Sequence, residues 1–107
     1  MEETVFFHNS EGDQLVGILS NPSGDKSKPI IIICHGFASN KNRPNFVNLS
    51  LALNQHRIST LRFDFYGHGE SDCKFENITI TEAVDDIVQA INYLKKLGYK
   101  KIGLCGS

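Results

Sequence analysis

Three short segments of this 107-residue chain join glycine to side chains able to carry chemistry: "CHGF" at 34–37, "DFYGHGES" at 64–71 and "LCGS" at 104–107. Together they hold His35, Asp64, His68, Ser71 and Ser107, with Cys34 and Cys105 beside them. Gly67 and Gly69 begin a phosphate-cradling G-x-G-x-x-G, but its third position is Asp72 and no helix start follows. A dinucleotide site requires strand, glycines and helix in immediate succession, so that reading is set aside. A metal site would need ligand spacings such as C-x-x-C or H-x-x-x-H, which Cys34, Cys105, His35 and His68 do not form. Small buried thiols are the expected role of the two cysteines, and no metal is expected. Cys73, in a loop, suits incidental oxidation better than catalysis. His8 and His56 flank secondary structure with nothing beside them to activate.

The elements that must hold these segments can be read in order. "TVFFHN" (Thr4–Asn9) and "QLVGILS" (Gln14–Ser20), split by the turn-forming "SEGD", predict an antiparallel hairpin. "NPSGDKSKP" (Asn21–Pro29) is a loop by composition. "IIIIC" (Ile30–Cys34) is continuously apolar, as a strand covered on both faces must be. "NFVNLSLALNQH" (Asn45–His56) gives an imperfect helical pattern, and "ISTLRF" (Ile58–Phe63) gives the next strand. Thr79 and Glu82 have capping-box spacing. Val84, Ile87, Val88, Ile91, Leu94 and Leu97 then mark one apolar helix face. Asp85 and Asp86 suit the start of that helix, Lys95 and Lys96 its last turn, and Gly98 its C′ position. "KKIGLC" closes the chain as a buried strand. The order β-β-β-α-β-α-β predicts an α/β fold: a mixed, mostly parallel sheet between layers of helix, in one structural unit.

Composition excludes several functions. A formal charge of −1 and lysines scattered among acids (Lys26, Lys28, Lys41, Lys95, Lys96, Lys100 and Lys101) give no basic stripe for nucleic acid or an anionic membrane. No run reaches the ~18–20 apolar residues of a membrane span, and "MEETVFFHNSEGD" has acids where a signal peptide needs positive charge. The cysteine count is odd, at three, with no framework spacing, which predicts reduced thiols in a cytoplasmic protein. Nothing in the pattern fixes an oligomeric state.

Taken in order, "IIIICHGFASN", "LRFDFYGHGESD" and "KIGLCGS" after an amphipathic helix resemble the motif set of the α/β-hydrolase superfamily. The likeness is to esterases of the feruloyl/cinnamoyl type and to the serine aminopeptidase and monoglyceride lipase-like group. It implies the N-terminal part of such a fold, the first five strands with flanking helices, as one incomplete domain over 1–107. It also implies serine-dependent hydrolysis of a carboxylic ester or related acyl compound through an acyl-enzyme, without metal or organic cofactor.

Residue by residue, the resemblance implies that Phe37 N–H is an oxyanion donor, with Gly36 letting the backbone bend close to substrate. His35 is implied to be a structural residue of the turn, since the family's catalytic His comes later in the chain. Asp64, Gly67, His68, Gly69 and Ser71 form the family's D-x-x-G-x-G-x-S turn, with Asp64 and Ser71 closing loop hydrogen bonds. In the G-x-S-x-G elbow, Gly106 takes the first glycine and Ser107 the variable position, so that the nucleophile is the next residue. The rival alignment makes Ser107 the nucleophile and puts Cys105 at the first glycine, where a side chain crowds the tight turn. On the first alignment the chain is cut just before its nucleophile, and these 107 residues alone should be inactive. A catalytically degenerate remnant that binds a partner is the alternative; its last strand would be an open apolar edge.

Overall fold

The computed structural model describes residues 2–35, 41–65, 71 and 80–106, with backbone only at 80–82. The strands are β1 (Glu2–His8), β2 (Gln14–Ser20), β3 (Ile30–Cys34), β4 (Ser59–Phe63) and β5 (Ile102–Gly106); the helices are α1 (Pro44–Gln55) and α2 (Ile80–Leu97). The five strands form one sheet in the order β1-β2-β4-β3-β5. β1–β2 and β2–β4 are antiparallel, whereas β3 pairs in parallel with β4 on one flank and β5 on the other.

The element types match the expectations; several ends move. β1 runs over 2–8 rather than 4–9, because Glu2 still pairs with Ser20 across the hairpin. Asn9 leaves the strand to make the turn, where its Oδ1 accepts from the N–H groups of Glu11 and Asp13 at 3.1 and 2.9 Å. α1 starts at Pro44 rather than Asn45, since proline's fixed φ and missing N–H suit a first turn. It ends at Gln55, before Arg57 takes a positive φ of 62°. β4 therefore begins at Ser59, not Ile58, and β5 covers 102–106 rather than 100–105.

Side-chain alternation builds two faces. Val5, Phe7, Leu15, Leu19, Ile30, Ile32, Leu61 and Phe63 pack with Ala90 and Leu94 of α2. On the other face α1 buries Phe46 and Ser50, and the Ser50 hydroxyl lies 2.6 Å from that of Thr60. Ser50 holding the central buried position explains why the apolar pattern of α1 is imperfect, with Leu51 left 51% exposed.

In α2 the buried line is Asp86, Ala90 and Leu94, an i, i+4 stripe. Val84 and Val88, expected on the core face, are 55% and 44% exposed. The aspartates are likewise not simple dipole partners. Asp85 accepts from the N–H and Oγ of Ser10, tying the hairpin turn to the helix, and Asp86 is fully buried. Those bonds hold the Asp85 carboxyl below the usual carboxylate range, the Ser10 hydroxyl contributing most. The C-terminus of α2 closes as expected: Gly98 has φ 105° and donates to Lys95 O, while Tyr99 N–H returns to Leu94 O. Thr79, the Glu82 side chain and Cys73 lie outside the described residues.

Gly17 sits where β2 meets β4. A Cβ there would lie 3.0 Å from Arg62 O, 3.1 Å from Leu61 Cδ1 and 3.2 Å from Phe63 Cβ. Backbone and core atoms have little room to yield, so Gly17→Ala is expected to destabilise the fold by about 1–3 kcal/mol. A urea melt against wild type checks this.

Candidate active site

β3, β4 and β5 end together. Cys34 is in register with Phe63 on one side and Gly106 on the other, so the chain leaves the sheet at three neighbouring points on one rim. β3 is followed by α1 and then by β4 on one flank, while β5 lies on the other. In open α/β sheets ligands bind outside the carboxyl ends of the strands.

The first exit is His35, only 6% exposed. Its Nε2 accepts from Phe65 N–H at 3.1 Å, and its ring meets that of Phe65 edge-on at 4.8 Å. An aromatic row continues inward from Phe65 to Phe63 and then to Phe7, at centroid distances of 4.8 and 5.5 Å. His35 thus accepts a backbone hydrogen bond where the chain leaves β3.

The second exit is Asp64, fully buried. Its Oδ1 accepts from Lys41 N–H at 2.8 Å, and its Oδ2 pairs with Lys41 Nζ at 2.7 Å. Lys41, named above only among lysines scattered between acids, is 2% exposed and spent on this ion pair. A lysine almost never buries unless paired, and Asp64, 23 positions later, supplies the partner. The Lys41 carbonyl in turn accepts from Arg62 Nε at 3.1 Å, and Arg62 reaches Glu2 at 2.9 Å.

Ser71 completes the turn. Its hydroxyl donates to Asp64 O and accepts from Val16 N–H at 3.0 Å, so one oxygen satisfies two buried backbone groups. Ser71→Ala removes both bonds and is expected to cost about 1–3 kcal/mol, read as a shift in the urea midpoint.

The third exit is Gly106, where an added Cβ would meet nothing within 4 Å. Cys34 is buried as expected, but Cys105 is exposed and β5 is not the buried strand expected, because β5 lies at the edge of the sheet with β3 its one neighbour among the described strands. Burial, reinforced by the neighbouring Cys105, pushes the Cys34 thiol up to about 11, which keeps it protonated and unreactive at neutral pH. Among the described residues no group of three or more His, Cys, Asp or Glu gathers to hold a metal, and no helix is long and apolar enough to cross a membrane.

Of the residues singled out from sequence, His35, Asp64, Ser71 and Gly106 are therefore brought to one rim. Gly36, Phe37, Gly67, His68, Gly69 and Ser107 lie outside the described residues. Lys41 and Arg62 were not anticipated in any site role. The only available signal was a lysine just ahead of a proline-started helix, which does not reveal burial.

Comparison with known proteins agrees with this arrangement. Est1E from Butyrivibrio proteoclasticus, solved with ferulic acid bound, superposes with a TM-score of 0.89 at 33% identity, covering 95% of this chain and 41% of that one. An esterase of Pyrococcus furiosus shares the fold with a TM-score of 0.87 at 22% identity, covering 99% of this chain and 40% of its own. A curated Escherichia coli relative, named an uncharacterized 31.7 kDa protein in the traX-finO intergenic region, is 34% identical over 91 residues. That match takes in 80% of this chain, which spans only 31% of the relative's length. The profile of the family described as serine aminopeptidase, S33, matches residues 25–107. The chain belongs to this S33 serine aminopeptidase family and carries the N-terminal portion of an α/β-hydrolase fold.

Proposed function

We propose that this chain supplies the first part of a serine-dependent hydrolase that cleaves carboxylic esters through an acyl-enzyme. One observation carries the reading: β3 and β5 lie side by side in parallel and end in register at Cys34 and Gly106. The carboxyl ends of β3 and β5 are therefore neighbours on one rim. Acyl transfer needs that adjacency, because the attacking oxygen and the donors that receive the oxyanion must meet at one carbonyl group.

In this assignment Phe37 N–H donates to the tetrahedral oxyanion, and Gly36 lets the backbone approach. Gly106 opens the elbow, Ser107 holds its variable position, and the residue after it attacks. The general-base His and the acid that orients it come from farther along the polypeptide, and no metal or organic cofactor takes part. Ferulic acid in Est1E makes esters of aromatic hydroxy acids the first substrates to try. The absence of a disulfide spacing among three cysteines supports a reducing, cytoplasmic setting.

The test is hydrolysis of p-nitrophenyl acetate and methyl ferulate by the full-length polypeptide. Ser107→Ala should keep most of the turnover if the following residue is the nucleophile. A collapse to background, ~10⁶-fold in kcat for a lost serine nucleophile, would transfer that role to Ser107. No turnover together with no labelling by a fluorophosphonate would replace the enzyme reading with a binding module. The 107 residues alone are expected to show no turnover above background.

A further inference from the structure

At the end of the sheet opposite the rim of Cys34, Phe63 and Gly106 lies a cavity of about 300 Å³, lined by Glu3, Leu19, Asn21, Lys26, Leu97 and Tyr99. Asn21 follows the last residue of β2, Leu97 ends α2 and Tyr99 precedes β5, so these residues stand at the amino ends of the parallel strands. The volume is at the small end of the ~300–1,000 Å³ range of ligand sites and suits a molecule of amino-acid size.

The polar lining is fixed in place by its own hydrogen bonds. Tyr99 is 2% exposed, and its hydroxyl oxygen accepts from Asn21 Nδ2 at 2.9 Å. Asn21 Oδ1 in turn accepts from Gly24 N–H at 3.0 Å and from the hydroxyls of Ser59 and Ser23 at 3.0 and 3.3 Å. The Tyr99 hydroxyl still has its proton to donate, and that proton meets no acceptor among the described residues. Burial raises the phenol above its ordinary range; the Asn21 bond works against the rise and the charge of Glu3 adds to it. Tyr99 therefore keeps the proton at neutral pH. A buried donor without a partner costs stability, so an acceptor entering the cavity is favoured.

Two opposite charges complete the lining. The Lys26 ammonium stands 5.9 Å from the centroid of the Tyr99 ring, within cation–π range. The stem of Lys26 passes beside Gly98, where an added Cβ would lie 3.4 Å from its Cδ. Glu3 comes from β1, directly across from Leu19. Although Glu3 and Lys26 line one cavity, neither has an ion-pair partner among the described residues. Leu19 and Leu97 add apolar surface.

We propose that this cavity binds a free α-amino acid with an aliphatic side chain. Its carboxylate meets Lys26 and the Tyr99 hydroxyl, its ammonium meets Glu3, and its side chain lies against Leu19 and Leu97. A carboxylic acid without the amine brings a second negative charge near Glu3. An amine without the carboxylate leaves the Tyr99 donor unused. Only the zwitterion satisfies both charges and the donor. The site lies apart from the rim where β3, β4 and β5 end, and the proposal does not depend on the hydrolase reading.

Isothermal titration calorimetry of the full-length polypeptide with free leucine tests this, alongside 4-methylpentanoate and isopentylamine, which each lack one charged group. Leucine should bind saturably, and each analogue about tenfold more weakly or worse, the scale of one lost hydrogen bond to a charged group. Tyr99→Phe removes the hydroxyl and keeps the ring, while Lys26→Met removes the ammonium and keeps the stem. Each should weaken leucine binding about tenfold or more. Lys26 is exposed, so its variant should fold as wild type does and keeps the test decisive if Tyr99→Phe does not. Glu3→Gln should narrow the gap between leucine and 4-methylpentanoate. No saturable binding at millimolar leucine, unchanged affinity in Lys26→Met, or equal affinity for leucine and 4-methylpentanoate overturns the proposal. Each of these outcomes leaves the hydrolase reading where it stands.

Discussion

Replacing Lys41 alone by methionine is expected to lower the unfolding free energy by about 3–5 kcal/mol, the usual cost of removing one partner from a buried ion pair. The stem of the side chain is preserved, so little of the loss comes from packing. It comes from Asp64, which stays fully buried and loses the ammonium 2.7 Å from its Oδ2. A loss of that size is a large share of the ~5–15 kcal/mol that holds a typical domain together. Urea unfolding followed by circular dichroism reads it directly. The double replacement Lys41→Met with Asp64→Leu removes both charges and should recover most of the loss. If the single and double variants melt together, the pair contributes little and its burial has another explanation.

Phe37→Pro carries the largest expected effect on activity. Proline has no backbone N–H, so the substitution deletes the proposed oxyanion donor while leaving the rest of the chemistry in place. Loss of one such donor costs about 10²–10³-fold in kcat. Phe37→Ala is the control, because it keeps the N–H and removes only the ring. A large fall in kcat for proline with a small one for alanine supports the backbone role. Equal losses would mean that the ring, through substrate contact or packing, is what matters at this position.

The sequence reading succeeded where one local pattern had one structural meaning. Ile30–Cys34 is apolar without a break because β3 is central, flanked by β4 and β5 and covered on both faces over most of its length. Gly98 closes α2 because the turn after Leu97 needs a positive φ. The reading failed where a side chain's meaning depended on a distant partner. Lys41 looks like any surface lysine until Asp64 is brought beside it by the pairing of β3 with β4. Val84 and Val88 fit the helical spacing, yet the buried line of α2 runs through Asp86, whose burial no hydropathy pattern would forecast. His35 is an ambiguous residue by type. The family resemblance implied a structural residue of the turn, and in the structure its Nε2 accepts from Phe65 N–H.

The pairings also differ in how much chain must be made before they can form. β1 and β2 meet across a turn at residues 9–13, whereas Ile102 reaches Ile30 only after two helices and β4 have been built. Contacts between distant positions must wait for loop closure, so the hairpin should form early and β5 should dock last. At a synthesis rate of about 5–20 residues per second, Phe65 leaves the ribosome seconds ahead of Ile102. The Lys41–Asp64 clasp can therefore be in place while the flank of β3 that will receive β5 still stands open. For that interval the nascent chain presents the row Ile30–Cys34 with no neighbour on one side, and the order of emergence decides which strand it meets.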